Sequence, residues 1–228
     1  MATFHSSLCL LSDHVWLGVL AAVLFVAGLG TAGPVVRHDY RPLMALPLWV
    51  VRLVLRVMGP NLPPLRTFAL IFGFNCVAIF LYMLSGVLIV VPAAMAFLTG
   101  LHIGVVVLKA GELDLASGAE RPPPPVQAAR EGARAPAWVN FCGLLVLLLE
   151  LPSFWISVGM GIGMARKLSA AGQYNLDVAR ALVTERVDAY LMIIIPALFL
   201  SALAETAAIR GNARSKAAGP QSQDDAEA

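Results

Sequence analysis

The chain has 228 residues, 59% of them hydrophobic and 13% charged, with a formal net charge of +2 and a mean hydropathy of +0.79. A soluble domain carries about 25% charge, so a water-coated globule is excluded, and so small a net charge offers no basis for a nucleic-acid partner. The stretches between apolar runs are shorter than the roughly 50 residues a folded domain needs, which leaves a single membrane domain over residues 1–210.

Residues 1–14 lack Lys and Arg, and the apolar run Val15–Val36 is longer than a cleavable leader core of about 7–15 residues. It reads as a retained first span, Val15–Gly33, ended by Gly33-Pro34. Arg37, Arg41, Arg52, Arg56 and Arg66 follow. Within them, residues 42–58 form an apolar stretch in which Arg52 and Arg56 fall one turn apart on one face. This predicts an interfacial amphipathic helix whose arginines reach headgroups, ended by Gly59-Pro60 and Pro63-Pro64.

From Thr67 to Leu108 there is no Asp, Glu, Lys or Arg. One crossing takes about 20 apolar residues, so this run crosses the bilayer twice. Pro92 lacks a backbone donor and suits a helix start, which sets spans two and three at 67–90 and 92–108 around a tight turn. A polar linker over 109–136 follows, with four consecutive prolines at Pro122–Pro125 that make a stiff spacer. Span four is expected over 137–165, kinked at Pro152 and loosened by Gly159, Gly161 and Gly163; its central Glu150-Leu151-Pro152 also allows a re-entrant fold. Tyr174–Asp188 reads as a mixed-charge surface connection, 189–209 as span five, and 211–228 as a disordered polar tail. The expected fold class is all-α: a polytopic helical membrane protein of about five transmembrane helices plus one amphipathic helix.

Five arginines follow span one and no Lys or Arg precedes it. The positive-inside rule therefore sets the N-terminus outside, residues 35–66 and the 109–136 linker inside, and the tail inside. Arg166, Lys167, Arg180 and Arg186 in the span four–five connection run against that rule.

No GxGxxG, GxxxxGK[ST], GxSxG or HExxH motif occurs, so no catalytic residue, cofactor or metal site is assigned. The three cysteines, Cys9, Cys76 and Cys142, lack metal or disulfide spacing and read as small apolar residues. The informative side chains are polar ones inside spans. Glu150 has 15 charge-free residues on each side, and an ionised carboxylate at that depth costs about 2.5–3.5 kcal/mol or more. It must be protonated, paired or facing a wet cavity. Glu205 lies near the end of span five and either snorkels towards Arg210 or joins Glu150. Asn75 reads as an interhelical hydrogen-bonding amide, and His102 as a bonded core histidine. Gly100 and Gly104 form a small-xxx-small face for close packing within the bundle or in a homo-oligomer. Trp16, Trp49, Trp138 and Trp155 suggest interfacial belts.

Several stretches stand in a familiar order: Phe74-Asn75-Cys76-Val77-Ala78 with Gly86, then Thr99-Gly100 with Gly104, then Leu149-Glu150-Leu151-Pro152 leading to Gly159–Gly163, then Leu198–Glu205. Over about Thr67–Arg210 the chain resembles the stage II sporulation protein M family of multi-pass bacterial and archaeal membrane proteins. It departs from the family's pattern at Thr99, where Asn is common, and at Val146-Leu147, where His-Gly is common. The resemblance implies a non-enzymatic subunit of a cell-wall-remodelling complex that anchors or organises murein hydrolases. The expectation is therefore a scaffold or partner subunit in the bacterial inner membrane, in contact with lipid and with other envelope proteins. The alternative is a permease-like subunit for a small solute or proton that uses Glu150 and Glu205.

Overall fold

The computed structural model describes residues 4–57, 62–116, 137–170 and 175–217, and every regular element among them is helical. In chain order these are α1 (Phe4–Arg37), α2 (Arg41–Val57), α3 (Pro64–Leu84), α4 (Val91–Ala116), α5 (Ala137–Ala170), α6 (Leu176–Ala189) and α7 (Ile195–Ala217). Five segments are long and apolar enough to cross a bilayer: His14–Arg37, Pro64–Val87, Val91–Lys109, Trp138–Ala170 and Leu176–Gly211. The protein is an all-α, multi-pass membrane protein.

Its surface follows from lipid as solvent. Large apolar side chains such as Val23, Val77, Leu147 and Leu200 stand exposed, whereas small residues (Ala21, Ala32, Ala96, Ser157 and Ala202) are fully buried. With no hydrophobic drive between helices in lipid, close backbone approach and van der Waals contact hold the bundle. Helix α5 is its hub and packs on α1, α3, α6 and α7, while α1 and α4 form the most extensive pair.

Glycines set the crossing points. A Cβ on Gly100 would sit 1.9 Å from the Phe25 carbonyl oxygen, and one on Gly28 equally close to that of Phe97. The Gly100/Gly104 face is thus spent on α1 inside one chain and is not open to a second copy. Likewise Gly159 and Gly163 abut α1, and Gly161 abuts Gly86. The glycines expected to loosen span four are the places where its neighbours touch it.

Several boundaries differ from those read in the sequence. Helix α1 runs through Gly33-Pro34 to Arg37, with Pro34 exposed. A proline forfeits only one helical donor, and an outward-facing ring lets the helix continue. The stop comes at Asp39, whose φ of 49° is left-handed, with the Tyr40 N–H donating to the Val35 carbonyl. The α3–α4 hairpin turns earlier than Val91-Pro92, through a 3-10 turn at Ser85–Val87, and Pro92 falls inside the first turn of α4. Helix α5 is continuous through Glu150-Leu151-Pro152, so span four is one helix long enough to cross and has no re-entrant break there.

The largest departure concerns Tyr174–Asp188. The described part of it is α6, which joins α7 through a π-helical segment, Tyr190–Ile194, to make one continuous helix. The Ile195 N–H reaches back to the Tyr190 carbonyl, five residues away. Helix α2 lies one residue from its expected bounds, with Arg52 and Arg56 exposed. Its Met44 is buried in a cluster with Ala32, Val35, Leu101 and Val105. The proline run at 122–125 and residues 218–228 lie outside the described residues, while helix extends to Ala116 and Ala217, beyond the expected starts of the linker and the tail.

Candidate functional site

Three helices bring polar side chains to one point. Asn75 on α3 donates from Nδ2 to Glu150 Oε1 on α5 at 2.7 Å. From α7, Ser201 Oγ donates to the same oxygen at 2.9 Å. Glu205 lies one turn beyond Ser201, the i to i+4 spacing that sets two residues on one helical face. Each intramembrane hydrogen bond contributes about 0.6–2 kcal/mol, so Glu150 ties α3 and α7 to the hub helix.

Glu150 and Glu205 open onto a cleft of about 320 Å³. Asn75, Leu70, Ile71 and Phe74 of α3 line one wall, and Leu53, Val54 and Val57 of α2 form the cover. The amphipathic helix therefore closes one side of the cleft beside the polar cluster. Arg41 pairs with Asp39 and Arg186 with Glu185, both away from the cleft. Among the described residues neither carboxylate of the cleft has a cationic partner, and Glu205 does not pair with the exposed Arg210.

A second polar cluster was not legible as such in the sequence. Arg186 has a side-chain exposure of 0%. Its Nε donates to the Met160 carbonyl of α5 at 3.2 Å and Nη1 to the Leu182 carbonyl at 2.9 Å. Nη1 also pairs with Glu185 Oε2 at 3.2 Å, and Nη2 contacts His14 Nε2 of α1 at 3.4 Å. Acceptance at Nε2 requires the His14 proton on Nδ1. Just beyond lies the π segment, where the Tyr190 hydroxyl donates to the Cys76 carbonyl. The signal for Arg186 was periodicity: Ala179, Leu182, Arg186 and Ala189 are the buried stripe of α6, spaced three, four and three apart. Ser201 was also passed over, although it stands within Leu198–Glu205.

The other candidates lie apart from the cleft. His102 is half-buried on α4 between Gly100 and Gly104, with no hydrogen bond among the described residues. Trp16, Trp49 and Trp138 are exposed, as belt residues are, but Trp155 packs edge-on to Phe25 at mid-helix. Cys76 and Cys142 are free thiols.

Comparison of the chain with protein-family models, curated proteins and solved structures gives no match. The fold defines a multi-pass helical membrane protein, and its functional reading rests on the cleft.

Proposed function

We propose that this chain is a non-enzymatic, permease-like subunit of the bacterial inner membrane, moving a small solute or proton by way of Glu150 and Glu205. The observation that carries this reading is the pair of carboxylates from α5 and α7 that line one cleft with no cation paired to either among the described residues. Burying a carboxylate in a bundle costs several kcal/mol, and a leucine would pack α5 as well. Intramembrane carboxylates facing a cavity are the usual means of holding a proton or cation along a pathway. The test is proteoliposome flux with an internal pH dye. Wild-type protein is expected to accelerate proton or solute-coupled entry, and Glu150→Gln with Glu205→Gln to abolish it. Flux that survives the double substitution refutes the reading.

A second reading, a scaffold in a cell-wall-remodelling type of envelope complex, is supported by the sequence resemblance. The stretches that carry it supply Asn75, Glu150 and Ser201, which suits a purely structural interhelical pin. On that reading Glu150→Gln, which keeps a hydrogen-bonding side chain, leaves assembly intact, and pull-down in mild detergent recovers murein hydrolases.

A further inference from the structure

We propose that the cleft takes an amphiphilic organic cation, an ammonium group carried on an apolar body, that enters from the membrane interface beneath α2. The inference rests on the permease-like reading and names its substrate class.

The lining decides the class. Five aliphatic side chains, Leu53, Val54, Val57, Leu70 and Ile71, and the ring of Phe74 make up most of the wall, and the polar groups are one amide and two carboxylates. A proton needs no chamber of about 320 Å³, a volume within the range of small-molecule sites. A bare Ca²⁺ or Mg²⁺ needs about six oxygen ligands, and Zn²⁺ about four from Cys, His or carboxylates. Among the described residues no three His, Cys, Asp or Glu side chains come together to supply them. An anion meets two carboxylates, and a neutral apolar guest leaves both without a counter-charge in a low-dielectric site. An organic cation satisfies both halves: its charge faces the carboxylates, and its body replaces water or lipid on the aliphatic wall, with an aromatic ring at hand for a cation–π contact.

The two carboxylates are not equivalent. Glu150 Oε1 already accepts from Asn75 and Ser201, whereas Glu205 has no hydrogen-bond or ion-pair partner among the described residues. Glu205 is the counter-ion and Glu150 the pre-set wall that positions it. The way in follows from α2. Leu53 and Val57 on its cleft side are exposed at 42% and 50%, and Phe74 opposite at 60%. The rim is thus open to the outside of the bundle, and an amphipathic α2 lying in the interface would set it in the layer where amphiphiles concentrate.

The test uses the full chain in lipid nanodiscs and radiolabelled benzyltrimethylammonium, whose charge does not depend on pH. Saturable binding is expected, competed by the unlabelled cation and not by its neutral carbon isostere. Glu205→Gln should raise Kd at least about tenfold, which is 1.4 kcal/mol. Glu150→Gln should raise it less, and Val57→Trp should block binding while the protein remains monodisperse. Competition by the neutral isostere, or binding unchanged in Glu205→Gln, overturns the proposal. Absence of saturable binding also overturns it. If carboxylate-dependent proton flux persists in proteoliposomes, that loss falls on the substrate class alone; if flux is absent too, the permease reading falls with it.

Discussion

At the scale of single residues, the molecule holds two kinds of buried polar group. Glu150 is held by neutral donors from two other helices, a link that pins three helices at a cost smaller than that of an unpartnered charge. Arg186 is different: a guanidinium fully removed from solvent and ringed by two backbone carbonyls, one carboxylate and one imidazole. The planar fork of Arg reaches Met160 and Leu182 together, which the single point charge of Lys does not. Truncating it leaves a void between α1, α5 and α6 as well as lost hydrogen bonds. Arg186→Ala should therefore cost about 2–5 kcal/mol, whereas Arg186→Met, which keeps the volume and removes the charge, should cost markedly less. Thermal unfolding in detergent, followed by circular dichroism, checks the order. Equal melting of wild type and Arg186→Ala would show that the guanidinium contributes nothing to the junction.

At the scale of helices, glycine spacing controls how near two backbones come. The 1.9 Å between a Cβ at Gly100 and the Phe25 carbonyl oxygen lies far inside contact distance, so α1 and α4 must part to admit any side chain. Gly30, on the same α1, has nothing within 4 Å of its would-be Cβ. Gly100→Leu should reduce the fraction that elutes as a folded, monodisperse species. Gly30→Ala should leave it unchanged or raise stability by up to about 1 kcal/mol through helix propensity. Size-exclusion chromatography and melting of the pair distinguish a packing glycine from an idle one, and equal behaviour of the two variants contradicts the packing account. The Gly100–Gly104 spacing was visible in the sequence, but its partner was not, because Gly28 and Phe25 lie some 75 residues away and nothing local pairs them. Other elements were readable to differing depth for physical reasons. The charge-free run 67–108 can only be membrane-embedded, so the α3–α4 hairpin was legible. Helix α2 was legible from two arginines one turn apart. Gly33-Pro34 misled because a proline ring on an exposed face does not stop a helix. Residues 174–188 misled because mixed charge reads as water-facing, although one of those charges, Arg186, sits on the buried stripe.

At the scale of the whole molecule, helix length and bilayer thickness do not match. The Leu176–Gly211 segment has 36 residues and Trp138–Ala170 has 33, about 54 and 50 Å at 1.5 Å per residue, against a hydrocarbon core of about 30 Å. The excess must stand in the headgroups or beyond. The α5–α6 end is the natural place for it, since Asp177, Arg180, Thr184 and Glu185 are exposed there and the apolar stretch that leads into α7 begins only after Asp188. If all five segments cross, the start of α1 and the end of α7 lie on opposite faces. By the positive-inside rule, the five arginines from the end of α1 to the first turn of α3, all exposed, predict that this end faces the side from which the chain is inserted. Arg186 no longer argues against this arrangement, because it is enclosed by protein and contributes no surface charge. Arg166, Lys167 and Arg180 remain on the other face, outweighed by the cluster that follows the first span, which usually dominates orientation. The expectation is specific. In a chain whose Cys9, Cys76 and Cys142 are replaced by Ala, Asn175→Cys should react with a membrane-impermeant maleimide in intact cells. Asp39→Cys, in the turn before α2, should react only after permeabilisation. The reverse pattern would invert the bundle and turn the rim beneath α2 outward. Labelling of both positions in intact cells would mean that one of the five helices does not cross, and the cleft between α2, α3, α5 and α7 would then need another account of how its carboxylates meet the membrane.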